Sequence, residues 1–120
     1  MKTTELAFTV YAVRDVKRSR EFYQSTVGLR ETANWNDKWI EFEVGPGTFA
    51  ITDAFPQLTP GAKGAMVALE VEDLESCIRE LDAKGLKLAM PKFDTPVCCG
   101  CTILDPDGNE VMLHQRKPKG

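Results

Sequence analysis

Along this chain apolar and polar positions alternate, fall at helical spacing, and alternate again, and the whole order occurs twice. Residues 6–12 mix aromatic, β-branched and small side chains and predict a strand. Asp15 then offers an N-cap. Val16, Ser19, Phe22, Tyr23 and Thr26 follow at helical spacing until Gly28 supplies a stop, which predicts an amphipathic helix of about three turns. Residues 29–35 read as a weak strand, Asn36-Asp37-Lys38 as a turn, and Trp39–Val44 as a strongly alternating strand. Gly45-Pro46-Gly47 reads as a second turn and residues 48–53 as a fourth strand.

Residues 54–64 hold two prolines and two glycines without periodicity and predict a linker. The pattern then restarts. Residues 65–71 predict a strand, Asp73 an N-cap, and Leu74, Cys77, Ile78 and Leu81 a helical stripe closed by Gly85. Residues 86–90 predict a short strand and residues 91–96 an irregular connection. The last two strands, residues 98–104 and 110–115, flank Asp105-Pro106-Asp107-Gly108-Asn109, a turn sequence because proline fixes its own φ and glycine accepts φ > 0. On the final strand Val111 and Leu113 point one way, and Glu110, Met112 and His114 the other.

Superposing the halves gives an internal repeat with a period of about 58 residues. Val13-Arg14-Asp15-Val16 matches Val71-Glu72-Asp73-Leu74, Ser19 matches Cys77, and Tyr23 matches Leu81. Each half is therefore βαβββ, with its helix covering one sheet face and leaving the other available. The expected fold class is α+β: module 1 at about 4–54, linker 55–63, and module 2 at about 64–116.

Composition is close to the globular average, with 42% hydrophobic and 28% charged residues among 120. A net charge of −3 argues against nucleic acid or an anionic membrane as partner, since phosphate binding needs a concentrated positive surface. Lys17, Arg18 and Arg20 suit a solvated helix face, and residues 116–120 a frayed, soluble tail. No apolar run approaches membrane-spanning length, so the expected location is cytoplasmic. Cys77, Cys98, Cys99 and Cys101 fit free thiols in a reducing compartment.

The pattern Val13-x-Asp15-Val16-x-x-Ser19-x-x-Phe22-Tyr23 with Gly28-Leu29, the repeated Val71-x-Asp73-Leu74, and the Asp105–Asn109 turn resemble the vicinal oxygen chelate superfamily of glyoxalase, bleomycin-resistance and ring-cleaving dioxygenase proteins. The resemblance implies paired βαβββ modules, usually in a dimer, with curved mixed sheets around a concave small-molecule pocket. In the metalloenzymes of that superfamily His and Glu from four strands hold a divalent ion. Those positions fall here on Phe8, Met66, Met112 and, approximately, Ile51. None can ligate a hard or borderline divalent cation, since thioethers suit soft ions such as Cu(I). Glu110 and His114 share the Met112 face but lie roughly 13 Å apart along the strand, too far to chelate one ion.

Pairing Leu104 with Val111 would set Ile103 opposite Met112 and Cys101 opposite His114, with Cys99 following on that face. Phe8, Val10, Met66, Ala68, Cys99, Cys101 and Met112 would then line an apolar, polarizable surface with His114 as its main titratable group. The same side chains could instead be core, and a single histidine is more often a satisfied rim residue than a ligand. Glu43, Asp53 and Glu70 read as solvated strand-end charges. Trp35 and Trp39 flank a three-residue turn and would meet across strands, over a ligand, in a dimer interface or against their own module. Cys99, Cys101, His114, Met66 and Met112 could also form a soft-metal site. Nothing in the sequence lowers a thiol pKa or orients a base for cysteine catalysis.

The expected function is a metal-free, homodimeric, small-molecule-binding protein that sequesters a hydrophobic or aromatic compound, using Phe8, Trp35, Trp39, Met66, Cys99, Cys101, Met112 and His114. It needs no cofactor and has no assigned catalytic residue. The alternative is a divalent-metal-dependent lyase, isomerase or dioxygenase of the same superfamily with atypical ligands.

Overall fold

A computed structural model describes residues 1–2 and 4–118, so Lys119 and Gly120 of the expected soluble tail lie outside the described residues. The chain forms two compact units, Met1–Ala62 and Lys63–Gly120, each built around a four-stranded mixed sheet. Unit 1 contains β1 (Thr9–Ala12), α1 (Val16–Glu21), β2 (Arg30–Trp35), β3 (Trp39–Val44) and β4 (Gly47–Thr52). Unit 2 contains β5 (Val67–Glu70), α2 (Leu74–Ala83), β6 (Met90–Asp94), β7 (Cys98–Leu104) and β8 (Glu110–Arg116). Their strand orders, β1-β4-β3-β2 and β5-β8-β7-β6, are the same topology executed twice. In each, the first strand runs parallel to the last and the remaining pairs are antiparallel.

In unit 1 the helix begins as predicted, with the Asp15 carboxylate accepting from the Arg18 amide at 3.2 Å. It does not remain an α-helix for three turns. After Glu21 the backbone widens into a π-helical turn, Phe22–Thr26, with the Val27 amide donating to the Phe22 carbonyl at 3.1 Å. Gly28 then takes φ +82°, the left-handed conformation that ends the helix. Ser19 and Tyr23 are fully buried, and the Tyr23 ring lies 5.0 Å from Phe49 and 6.0 Å from Phe42. Ile40, Phe42, Phe49 and Ile51 complete this core on the helix side of the sheet. Arg20 leaves its expected solvated face to form a two-pronged pair with Glu31, at 2.5 and 2.9 Å.

Unit 2 buries Leu69, Leu74, Leu81, Ile103, Val111 and Leu113 between α2 and its sheet. The Leu74 amide at the start of α2 donates to Gln115 Oε1 at 2.8 Å, so a β8 side chain caps the helix from across the core. Two expectations are corrected here. The second strand of this unit is Met90–Asp94, which starts at the last residue of the expected short strand and runs into the stretch expected to be irregular, while residues 86–89 form no strand. Pro91 is accommodated because β6 is the sheet edge and its pairing with β7 is interrupted between Met90 and Phe93. The tail expectation is also revised, for Arg116 ends β8 and the Lys117 amide donates to the Val97 carbonyl at 2.9 Å.

The Asp105–Asn109 turn forms as expected but sets a different register. Leu104 pairs with Glu110, so Ile103 faces Val111, Thr102 faces Met112, Cys101 faces Leu113 and Gly100 faces His114. Beside Gly100 runs Phe93, its partner on β6. A Cβ at Gly100 would sit 2.7 Å from Phe93 Cζ and 2.9 Å from the Leu113 carbonyl oxygen. The ring could rotate, but the carbonyl belongs to the sheet and cannot. Gly100→Ala is expected to destabilise the fold by about 1–3 kcal/mol, the cost of overpacking. Equilibrium urea unfolding would show it as a lower midpoint at unchanged slope.

Candidate functional site

Each sheet has one face under its helix and one not covered by it. In unit 1 the uncovered face carries Trp39 and Glu41 on β3 with Ala50 beside them on β4 and Val10 on β1. Phe8, just ahead of β1, meets Trp39 edge-on with ring centroids 5.2 Å apart, and Phe55 lies 5.4 Å from Trp39 on another side. The Trp39 indole N–H donates to Glu41 Oε2 at 2.8 Å, which fixes the ring's orientation. Trp35 is the backbone partner of Trp39, as expected, and remains 63% exposed. Ile51 is fully buried on the helix side, so the fourth-strand position on this face belongs to Ala50.

In unit 2 the uncovered face carries Met112 and His114 on β8, Ala68 and Glu70 on β5, and Cys98, Gly100 and Thr102 on β7. Met66 is partly exposed just before β5. Cys99 and Cys101 are not on this face. The observed register turns both toward α2, where Cys99 is buried and Cys101 has no exposure. Burial, with Cys77 and Cys99 close by, pushes the Cys101 thiol above its ordinary range. The predicted face of Cys99, Cys101, Met112 and His114, and with it the soft-metal set, is thus divided between two sides of one sheet. The cysteine that does share the His114 face is Cys98.

Sequence reasoning also missed Glu70. It pairs in register with His114 across the parallel β5–β8 ladder, and Glu70 Oε1 lies 2.7 Å from His114 Nδ1. Its second oxygen accepts from the Arg116 amide at 2.6 Å. Hydrogen bonding to His114, then to the Arg116 amide, holds the Glu70 carboxyl below its ordinary range. Hydrogen bonding to Glu70, then to Cys98, raises His114 above 6.5. Hydrogen bonding from Thr95 lowers the Cys98 thiol, with His114 a smaller cause in the same direction. The Thr95 hydroxyl is 3.3 Å from Cys98 Sγ and also accepts from the Cys98 amide at 3.0 Å, so one side chain shapes both the turn and the thiol. No periodicity signals these pairings. The relevant signal would be the repeat itself, which places a parallel strand beside β8.

The ligand positions implied by the family resemblance do not fit a hard or borderline divalent ion. Phe8, Met66 and Met112 offer hydrocarbon and thioether, and Ala50, the residue at the fourth-strand position, offers nothing. Among the described residues no three His, Cys, Asp or Glu side chains come together as a potential ion-holding group.

The Glyoxalase/Bleomycin resistance protein/Dioxygenase superfamily model matches residues 5–113. Among solved structures, the chain resembles TnmS3, an antibiotic binding protein from Streptomyces sp. CB03234, at 23% identity and TM-score 0.84, covering 98% of this chain and 99% of that one. A glyoxalase/bleomycin resistance protein from the same organism superposes at TM-score 0.78 and 24% identity, covering 92% and 100%. Lactoylglutathione lyase from Agrobacterium tumefaciens superposes at TM-score 0.75 and 18% identity, covering 95% of each chain. At these identities the likeness establishes the shared fold. No curated protein matches the chain.

His114 is the only histidine, so its titration can be followed as a single imidazole signal by NMR. The imidazole's contribution to stability is complete below its ordinary pKa of 6.5 and is lost as pH climbs through the raised folded value. The carboxylate's contribution is complete above its ordinary pKa of 4.5 and is lost as pH falls through the lowered folded value. Both are therefore complete between those ordinary values. Glu70→Gln is expected to move the His114 midpoint down toward 6.5.

Proposed function

This chain belongs to the Glyoxalase/Bleomycin resistance protein/Dioxygenase superfamily, and on that premise we propose that it binds and shelters a small apolar or aromatic compound without using a metal ion. The observation that carries this reading is the cluster of Phe8, Trp39 and Phe55 on the uncovered face of the first sheet, with its central indole held by Glu41. A fixed aromatic ring binds planar apolar groups at little entropic cost, by stacking and by removing hydrocarbon from water. On the second unit's own uncovered face, Met112 and Met66 offer adaptable, polarizable contacts and His114 a polar one. Trp35 offers further exposed aromatic surface. Cys99 and Cys101 are left out of this binding set because they face α2.

The description of TnmS3 as an antibiotic binding protein supports sequestration as a use to which this fold is put. The likeness to a lactoylglutathione lyase keeps an enzymatic alternative in view, and a divalent-metal-dependent version of it is disfavoured by the hydrocarbon and thioether at Phe8, Met66 and Met112. The same reading includes a cytoplasmic homodimer, in which exposed Trp35 would provide interface area. No helix among the described residues is long and apolar enough to cross a membrane.

Anilinonaphthalene sulfonate serves as an aromatic probe of this site. Its binding is expected to quench tryptophan emission, to survive exhaustive dialysis against chelator, and to weaken about tenfold, or 1.4 kcal/mol, in Trp39→Ala. Elemental analysis of protein purified without chelator is expected to find no stoichiometric Mn, Fe, Ni or Zn. A tightly held ion whose removal abolishes binding would overturn the metal-free reading. Light scattering at micromolar concentration tests the dimer, and a monomer there would exclude it.

A further inference from the structure

We propose that Cys98 is a reactive thiol, the nucleophile of a Cys98–His114–Glu70 constellation that captures small carbon electrophiles carrying a carboxylate. The site is a surface cleft of about 560 Å³ within unit 2, lined by the Pro96–Val97 turn, Cys98, His114, Arg116 and Lys117. It lies wholly on unit 2 and shares His114 with the sequestration reading, which uses that residue only as a polar contact and needs neither a nucleophile nor a base.

Three features of the geometry point to nucleophilic chemistry. First, the base is oriented. Glu70 takes His114 Nδ1 at 2.7 Å and is itself pinned by the Arg116 amide at 2.6 Å, which leaves Nε2 as the nitrogen able to serve a thiol. Second, the sulfur is placed. Cys98 pairs with Arg116 and so shares the sheet face of His114, two residues along the ladder from it, with Thr95 Oγ1 3.3 Å from Sγ. Third, the cleft is charged for an anion. Arg116 is the register partner of Cys98, and Lys117 lies at the rim, where it is paired at 2.5 Å with Asp94.

The titrations agree in direction with that geometry. Cys98 is lowered and His114 raised, as a thiolate beside an imidazolium would be, while Cys77 and Cys101 are raised by burial. The charged groups around the sulfur are Glu70 on β5, Asp94 on β6, and His114, Arg116 and Lys117 on and after β8. In the step itself the thiol proton passes to His114. The sulfur lone pair forms a bond to the electrophilic carbon, and the leaving group departs with the electrons of the bond that breaks. No oxidant or reductant enters.

The test is alkylation of the full-length native protein with iodoacetamide and, separately, iodoacetate, read for each cysteine by peptide mass spectrometry across mildly acidic to mildly alkaline pH. Cys98 is expected to react about tenfold faster than Cys77, Cys99 or Cys101 near neutrality. His114→Gln should raise the midpoint of the Cys98 pH–rate profile, and Glu70→Gln should raise it less. Arg116→Gln should slow iodoacetate at Cys98 more than iodoacetamide and so lower the ratio of the two rates. Equal reactivity of Cys98 and Cys77 in the unmodified sequence, a result that depends on no variant folding, would overturn the proposal. So would a pH midpoint indifferent to His114→Gln in protein of unchanged circular dichroism.

Discussion

The register of the β7–β8 hairpin is the constraint on which the chemistry of the second unit depends, and it is imposed by one carboxylate. Asp105 Oδ1 accepts from the amides of Asp107 at 2.9 Å and Asn109 at 2.8 Å, and Oδ2 accepts from Asn109 Nδ2 at 2.9 Å. All three residues are buried, and Gly108 at φ +84° closes the loop. Held this way, the turn consumes Asp105–Asn109 and places Leu104 opposite Glu110. Side chains alternate along a strand, so a slip of one residue would exchange every face of β7 against β8. Cys99, Cys101 and Ile103 would then leave the α2 core, and Cys98, Gly100 and Thr102 would leave the side of Met112 and His114. The core resists that exchange, since Cys101 and Ile103 have no exposure where they are.

The two units repeat one topology with different fillings. Unit 1 packs rings against its helix, with Phe42 and Phe49 stacked at 6.3 Å beneath Tyr23, and keeps further rings for the opposite face. Unit 2 packs aliphatic side chains and thiols, and its uncovered face is where the titratable groups gather. A duplicated scaffold thus carries an aromatic surface on one copy and an ionic, thiol-bearing surface on the other. The helix side sets each unit's main core, and although Ala50, Thr52 and Thr102 on the far faces are buried as well, the remaining far-face positions differ between the two copies.

Local chemistry made most of the elements legible. The Asp15 cap, the positive-φ glycines 28, 85 and 108, the alternation of Trp39–Val44 and the repeat itself each act within a few residues, so the sequence displays them directly. What stayed hidden depends on counting or on partners distant in sequence. The hairpin register turns on whether the loop holds five residues or six, which Asp105 decides through hydrogen bonds rather than composition. The π-helical turn at Phe22–Thr26 preserves the helical apolar spacing, so periodicity cannot distinguish it. Pro91 hid β6, because a proline counts against a strand unless the strand is known to be an edge. Glu70 looked like a solvated strand end, and only the parallel pairing of β5 with β8 brings it to His114.

The same pairing bears on whether carboxylates on these faces could serve a cation after all. Along β8, Met112 stands between two occupied acids. Glu110 lies 2.8 Å from Lys63 Nζ, and Glu70, beside the strand, is shared by His114 and the Arg116 amide. On the first unit Glu41 accepts from the Trp39 indole. Within either unit, an incoming divalent ion would have to displace the ammonium, imidazolium or indole N–H already held by the acid it met. It would then find thioether and hydrocarbon where further oxygen or nitrogen donors are required. These pairings give the acids roles other than ligation, holding an indole, an imidazole and a loop lysine in place, and that division of labour is the physical ground of the metal-free proposal.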